Sequence, residues 1–147
     1  MSTHSNIAVE HTDGSVSVVY CHSDGYIEYN GKMLVEHYNS KEKAEDLVSF
    51  GAISTLQQEI YPTGEHSFAN RQEGVTVFYT RDRGEEIDID QFDSVEEFVN
   101  RKSMREEFNY IFTEGDDKNG NRVVGWFVFV NKSNHYSYVK DLLDSGK

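Results

Sequence analysis

Two apolar stretches on either side of a tight turn constrain this chain more than any other feature. Phe108, Tyr110 and Phe112 alternate at the two-residue period of a strand, and Val123 to Asn131 is apolar on both of its faces. Between them, Asp117 to Asn121 contains Asn119-Gly120, a dipeptide that accepts the positive φ angles of a hairpin turn. A strand that is apolar on both faces must be covered on both, so the second stretch is expected to lie centrally in a sheet.

The rest of the chain supplies more pieces of the same kind. Asn6 to His11 and Ser15 to Cys21 read as strands joined by the turn Thr12-Asp13-Gly14. Asn30 or Gly31 opens a short helix carrying Leu34 and Tyr38. Asn39 starts an Asn-x-x-Glu cap for a second helix with the stripe Ala44, Leu47 and Val48, and Gly51 is its expected stop. Residues 52 to 74 are less regular. Val75 to Thr80 reads as a strand, and Ser94-Val95-Glu96-Glu97 is a capping box leading into Phe98 and Val99. Val139, Leu142 and Leu143 form the stripe of a C-terminal helix. Together these predict one α+β domain over residues 1–147: a mostly antiparallel sheet of about five strands, with three or four short helices packed on one face.

Charge narrows the function classes. The chain has 26 acidic and 14 basic side chains, a formal charge of −12, yet 13% aromatic residues, which disordered acidic chains lack. Thirteen acids and four bases fall between Asp82 and Asp117, so a net −9 of the −12 is concentrated there. Such a band argues against direct binding of nucleic acid or an anionic membrane, both of which require surplus Lys and Arg. It suits a protein partner with a basic surface, and it can imitate the spaced phosphates of nucleic acid. The residues expected to carry that contact are Glu85, Glu86, Asp88, Asp90, Asp93, Glu96 and Glu97. A solvated face that only keeps the chain dissolved is the plainer reading.

Four other constellations bear on chemistry. Cys21-His22-Ser23-Asp24 places a thiol beside an imidazole, but neighbours on a strand point to opposite faces, so Cys21 reads as a packing residue. The histidines His4, His11, His22, His37, His66 and His135 form no His-x-x-x-His pair, and one cysteine excludes the structural zinc patterns. The acidic runs starting at Asp88 and Asp117 lack the Gly and Glu positions of an EF-hand. Arg81 and Arg83, beside Gly84, make the sharpest ligand hypothesis: a clamp for an anion such as a nucleotide phosphate. In that alternative His22, Asp24 and Tyr26 contribute polar and stacking contacts from the 22–26 loop. The two arginines would otherwise pair with Asp82, Glu85 and Glu86 or lock the loop to the sheet. No phosphate-loop motif occurs, and no cofactor or metal is expected.

No stretch approaches the roughly 20 apolar residues of a membrane span, and residues 1–10 lack the basic start and apolar run of a signal peptide. With a single cysteine, this points to a reducing cytoplasm. Tyr136 and Tyr138 would serve a homodimer or finish the core.

Several runs carry a resemblance: Ser2-Thr3-His4-Ser5-Asn6-Ile7-Ala8, Tyr20-Cys21-His22-Ser23-Asp24-Gly25-Tyr26, Asn30-Gly31-Lys32-Met33-Leu34-Val35-Glu36-His37-Tyr38, Gly51-Ala52-Ile53-Ser54-Thr55-Leu56, Arg81-Asp82-Arg83-Gly84-Glu85 and Glu107-Phe108-Asn109-Tyr110-Ile111-Phe112. The chain thereby resembles a widespread family of small uncharacterised proteins encoded by bacteriophages, prophages and bacteria. It departs from that pattern at Ser23, usually an aromatic, and at His4, usually an Arg. The resemblance implies a small protein of the host-cell cytoplasm that acts non-enzymatically on a host protein, as a counter-defence inhibitor does.

Overall fold

The computed structural model describes residues 3–100, 106–130 and 137–145. β1 (Ser5–Glu10) and β2 (Val16–Cys21) form the hairpin expected from Thr12-Asp13-Gly14, in a register that sets Ile7 opposite Val19. The turn is closed by His11 N–H on the Ser15 carbonyl at 2.8 Å and Gly14 N–H on the His11 carbonyl at 2.9 Å. The chain then passes through one π-helical turn, Ile27–Gly31, directly into α1 (Lys32–His37). The helical path therefore begins before the expected Asn30. Asn30 is buried there, and its amide reaches Ser5 Oγ, Cys21 Sγ and the Ser23 carbonyl.

α2 (Lys41–Ser49) starts one residue later than the Asn39 cap implied. Ser40 holds the extended N-cap conformation, and its Oγ accepts from Lys43 N–H at 3.2 Å. Gly51 ends the helix as expected, at φ +84°, a conformation that a side chain would strain. β3 (Ile53–Thr55) and β4 (Val77–Phe78) follow, then α3 (Tyr79–Arg83). The strand expected over Val75 to Thr80 thus survives only as two residues. Asp82 reaches back to accept Phe78 N–H at 2.8 Å, which satisfies the helix start and turns the chain out of the sheet. β5 (Asp90–Phe92), α4 (Val95–Asn100), β6 (Phe108–Asp116), β7 (Arg122–Val130), β8 (Ser137–Tyr138) and α5 (Val139–Ser145) complete the chain.

The fold is α+β, with one mixed sheet of eight strands and five α-helices among the described residues. The strand order is β4-β3-β2-β1-β6-β7-β8, and β5 pairs with β2 beside β3. Two pairings, β1 with β6 and β2 with β3, are parallel, which hairpin signals cannot reveal. β7 is not central. It lies one strand from the edge, and β8 covers only Phe127 and Val128 on that side.

Both faces of the sheet are covered, which corrects the expectation of helices on one face. Ile7, Val9, Val19, Tyr110, Phe112, Trp126 and Val128 pack under α1, α2 and α5 through Leu34, Ala44, Leu47, Val48 and Val139. Ala8, Val16, Val18, Ile111, Phe127 and Phe129 face the other way, against Phe92 and against Phe98 and Val99 of α4. That second layer explains why β7 is apolar on both faces. Tyr138 stacks on Phe127 with ring centroids 5.3 Å apart and so extends the core; Tyr136 lies outside the described residues.

The loop after β2 is pressed against the start of β1. A Cβ at Gly25 would sit 2.9 Å from the Thr3 and His4 carbonyl oxygens, backbone atoms that cannot move aside cheaply. Gly25→Ala is expected to lower unfolding stability in urea by about 1–3 kcal/mol. Gly64→Ala, with nothing within 4 Å of its added carbon, should stay close to the wild type in the same titration.

Candidate functional site

The sequence offered two sites, and the structure places their residues in separate regions. The acidic residues follow α3. Glu85, Glu86 and Asp88 are exposed in an extended stretch without regular structure, Asp90 opens β5, and Asp93, Glu96 and Glu97 surround the start of α4. Ile87, in the middle of the run, is 63% exposed. Burial and then the neighbouring Asp88 hold the Asp90 carboxyl above its ordinary range. Part of the band is structural: Ser94 Oγ accepts Glu97 N–H at 3.1 Å, and Glu97 accepts Asp93 N–H at 3.4 Å.

Arg81 faces the chain itself. Its guanidinium donates to the carbonyls of Ile60 and Thr76, pairs with Asp82 through Nε at 2.9 Å, and lies 4.9 Å from the Phe78 ring centre. The Asp82 side chain is 2% exposed. On its far side His66 accepts Gln72 N–H through Nδ1 at 2.9 Å, which leaves the ring proton on Nε2. That nitrogen faces Asp82 Oδ2 at 3.2 Å without the alignment of a hydrogen bond. Burial acts to raise the Asp82 pKa. The hydrogen bonds from Arg81 and Phe78 and the charge of Arg81 outweigh it and hold the carboxyl below its ordinary range. Arg83 pairs with Glu85 at 3.2 Å and lies over Phe68. Both arginines therefore make the internal pairings weighed against the anion clamp.

His22, Asp24 and Tyr26 leave the sheet at the C-terminal end of β2, whereas α3 begins beside Ala52, ahead of β3. Since β2 and β3 are parallel, the two loops depart in opposite directions. No hydrogen bond or ion pair joins 22–26 to 81–84 among the described residues. Asp24 holds φ +56°, and its Oδ1 is 3.5 Å from the Tyr26 hydroxyl. Cys21 is fully buried on the opposite face from His22, and burial pushes its thiol up to about 11. A thiol in that state has almost no thiolate at neutral pH and cannot serve as a nucleophile.

Two clusters escaped the sequence reading. His4 and His22 lie just beyond the Ser5–Cys21 pair that ends the β1–β2 ladder, and the Tyr20 hydroxyl lies 2.8 Å from His4 Nδ1 and 2.9 Å from His22 Nδ1. The turn at Thr12-Asp13-Gly14 carried that signal, because it sets the hairpin register. In the second cluster, His11 Nδ1 meets Glu45 Oε2 at 2.6 Å and Nε2 meets Ser17 Oγ at 2.7 Å. It has the order of an acid–base–nucleophile relay. Ser17, however, is buried, is backbone-paired with Val9 and Gln91, and its Oγ lies 3.2 Å from Gln91 Oε1. Its strand N–H groups are committed to the sheet, so no oxyanion site adjoins it, and the cluster ties the first hairpin to α2 and β5.

Among the described residues, no group of three or more His, Cys, Asp or Glu side chains converges to hold a metal, and no helix is long and apolar enough to cross a membrane. No family model, curated protein or solved structure matches the chain.

Two measurements check these assignments. Asp82→Ala leaves Arg81 without its buried partner and is expected to cost about 3 kcal/mol at neutral pH. Because the folded pKa of Asp82 is lowered, its contribution is present above the unfolded carboxyl pKa and fades as pH falls through the folded value. The wild type should therefore lose more stability than Asp82→Ala between about pH 5 and 2. Cys21 should resist a thiol reagent in the native protein and react at once in denaturant; rapid native labelling would contradict its burial.

Proposed function

We propose that this chain is a non-enzymatic, phage-type acidic protein that captures a host protein through a basic surface in the host cytoplasm. The observation that carries the reading is the segment from Glu85 to Asp93. Glu85, Glu86, Asp88 and Asp93 stand in solvent around Ile87, the most exposed large apolar side chain among the described residues. Carboxylates in an extended stretch present spaced negative charge to a cationic cleft, and an apolar side chain within them supplies area that tightens once water is expelled. Proteins that handle nucleic acid carry clefts of that charge, so the partner class includes host defence nucleases, and the segment would stand in for a phosphate backbone. The alternative, a nucleotide or anion held between the 22–26 and 81–84 loops, requires loops that converge and a free guanidinium. Neither accords with the internal bonding of Arg81.

The test is capture of host proteins by the tagged chain at low and high salt. Reversing four exposed charges together, Glu85→Lys, Glu86→Lys, Asp88→Lys and Asp93→Lys, is expected to weaken capture at low salt by about tenfold or more. Ile87→Ser should weaken it without changing the salt dependence. Capture that is unchanged by the reversals, in a protein that still folds, would overturn the reading.

A further inference from the structure

His4 and His22 face each other across the first hairpin, on the side of the sheet away from Cys21. The register that sets Ser5 against Cys21, continued one residue past the strand ends, brings these two residues together, with ring centroids 4.8 Å apart and His4 Nδ1 on the His22 carbonyl. Facing residues on antiparallel strands have Cβ atoms roughly 4.5–5.5 Å apart, close enough for the two side chains to act together.

The hydrogen bonds determine where the ring protons lie. His4 Nδ1 is 2.9 Å from the His22 carbonyl oxygen, which only accepts, so His4 carries its proton on Nδ1. Its Nε2 lone pair is left outward. Tyr20 has one hydroxyl proton and two lone pairs. One arrangement has the hydroxyl donate to His22 Nδ1. In the other, the hydroxyl turns its proton to solvent and accepts from both Nδ1–H groups. The second arrangement leaves a lone pair on both outward Nε2 atoms, and it is reached by moving the His22 proton from Nε2 to Nδ1, with no proton gained or lost. Neither Nε2 makes a hydrogen bond among the described residues. Tyr20 thus stands behind both rings in the way that outer-shell partners hold metal-bound imidazoles.

We infer that His4 and His22 form a two-histidine site for a borderline divalent transition ion such as Zn2+, oriented by the Tyr20 hydroxyl and completed by water. Imidazole nitrogen selects such ions over Mg2+ and Ca2+. The formal charge of −12 favours a cation over an anion at the same rings. The site is open, because among the described residues no third His, Cys, Asp or Glu converges on these two rings. The other described histidines are placed differently. His11 is engaged through both nitrogens, His66 is buried against Asp82, and His37 stands on the surface with Glu36 3.9 Å away.

The experiment is titration of Zn2+ into the metal-free full chain, followed by calorimetry and by imidazole nitrogen NMR. One equivalent should bind, with the Nε2 resonances of His4 and His22 moving together. His4→Asn and His22→Asn should each weaken the affinity at least tenfold, and Tyr20→Phe by about 10–100-fold. His37→Asn serves as the control and should leave the affinity unchanged. Zn2+ that moves neither resonance in the wild type overturns the site without recourse to any variant. Affinity unchanged in both the His4 and His22 variants does the same. Unchanged affinity in Tyr20→Phe overturns the orienting role of the hydroxyl.

Discussion

Every layer of this molecule is hung on β1. Ile7, Ala8 and Val9 are completely removed from solvent, because β1 is paired along both edges and covered on both faces. One neighbour, β2, is local and antiparallel. The other, β6, arrives from a hundred residues away and runs parallel. The hairpin is closed by a local turn, but the parallel pairing requires the intervening chain to fold back first, and it unites the N-terminal hairpin with the β6–β7 hairpin in one sheet. Tyr110 closes that join from below: it is buried on β6, and its hydroxyl donates to the Gly25 carbonyl at 2.7 Å.

Charge in this chain has two different fates. Asp82 and Arg81 sit at the same bend, and each satisfies the other while also bonding backbone groups that would otherwise be orphaned. A few residues later the carboxylates find few cations and stay in water. The −12 of the sequence is therefore neither a uniform coat nor a wholly free surface. Asp82 is buried at its bend, and Glu85, Glu86 and Asp88 after it are exposed.

Histidine pairing follows the same logic of register and reach. His4 with His22 depends only on the short hairpin and was legible once Thr12-Asp13-Gly14 fixed the pairing. His11 with Glu45, and His66 with Asp82, join segments whose relative position no local pattern announces. The internal bonding of Arg81 was hidden for a related reason. Arg81 and Arg83 were visible in the sequence, whereas the Ile60 and Thr76 carbonyls that occupy Arg81 are brought to it only by the tertiary fold.

Local physics in the sequence determined the two hairpins, the capping box at Ser94, the stop at Gly51, the stripe of α2 and the burial of Cys21 away from His22. Each depends on side-chain period, turn chemistry or a cap within a few residues. Only the tertiary structure decided that β1 and β6 lie parallel, that α4 covers the second face and that β7 stands near an edge although both of its faces are apolar. The same holds for the short β5 strand hidden within the acidic run, which exists because β2 had a free edge at Val16 to Val18. Such features arise from which surfaces remain to be covered once the local pieces meet, and that is settled by burial between distant segments.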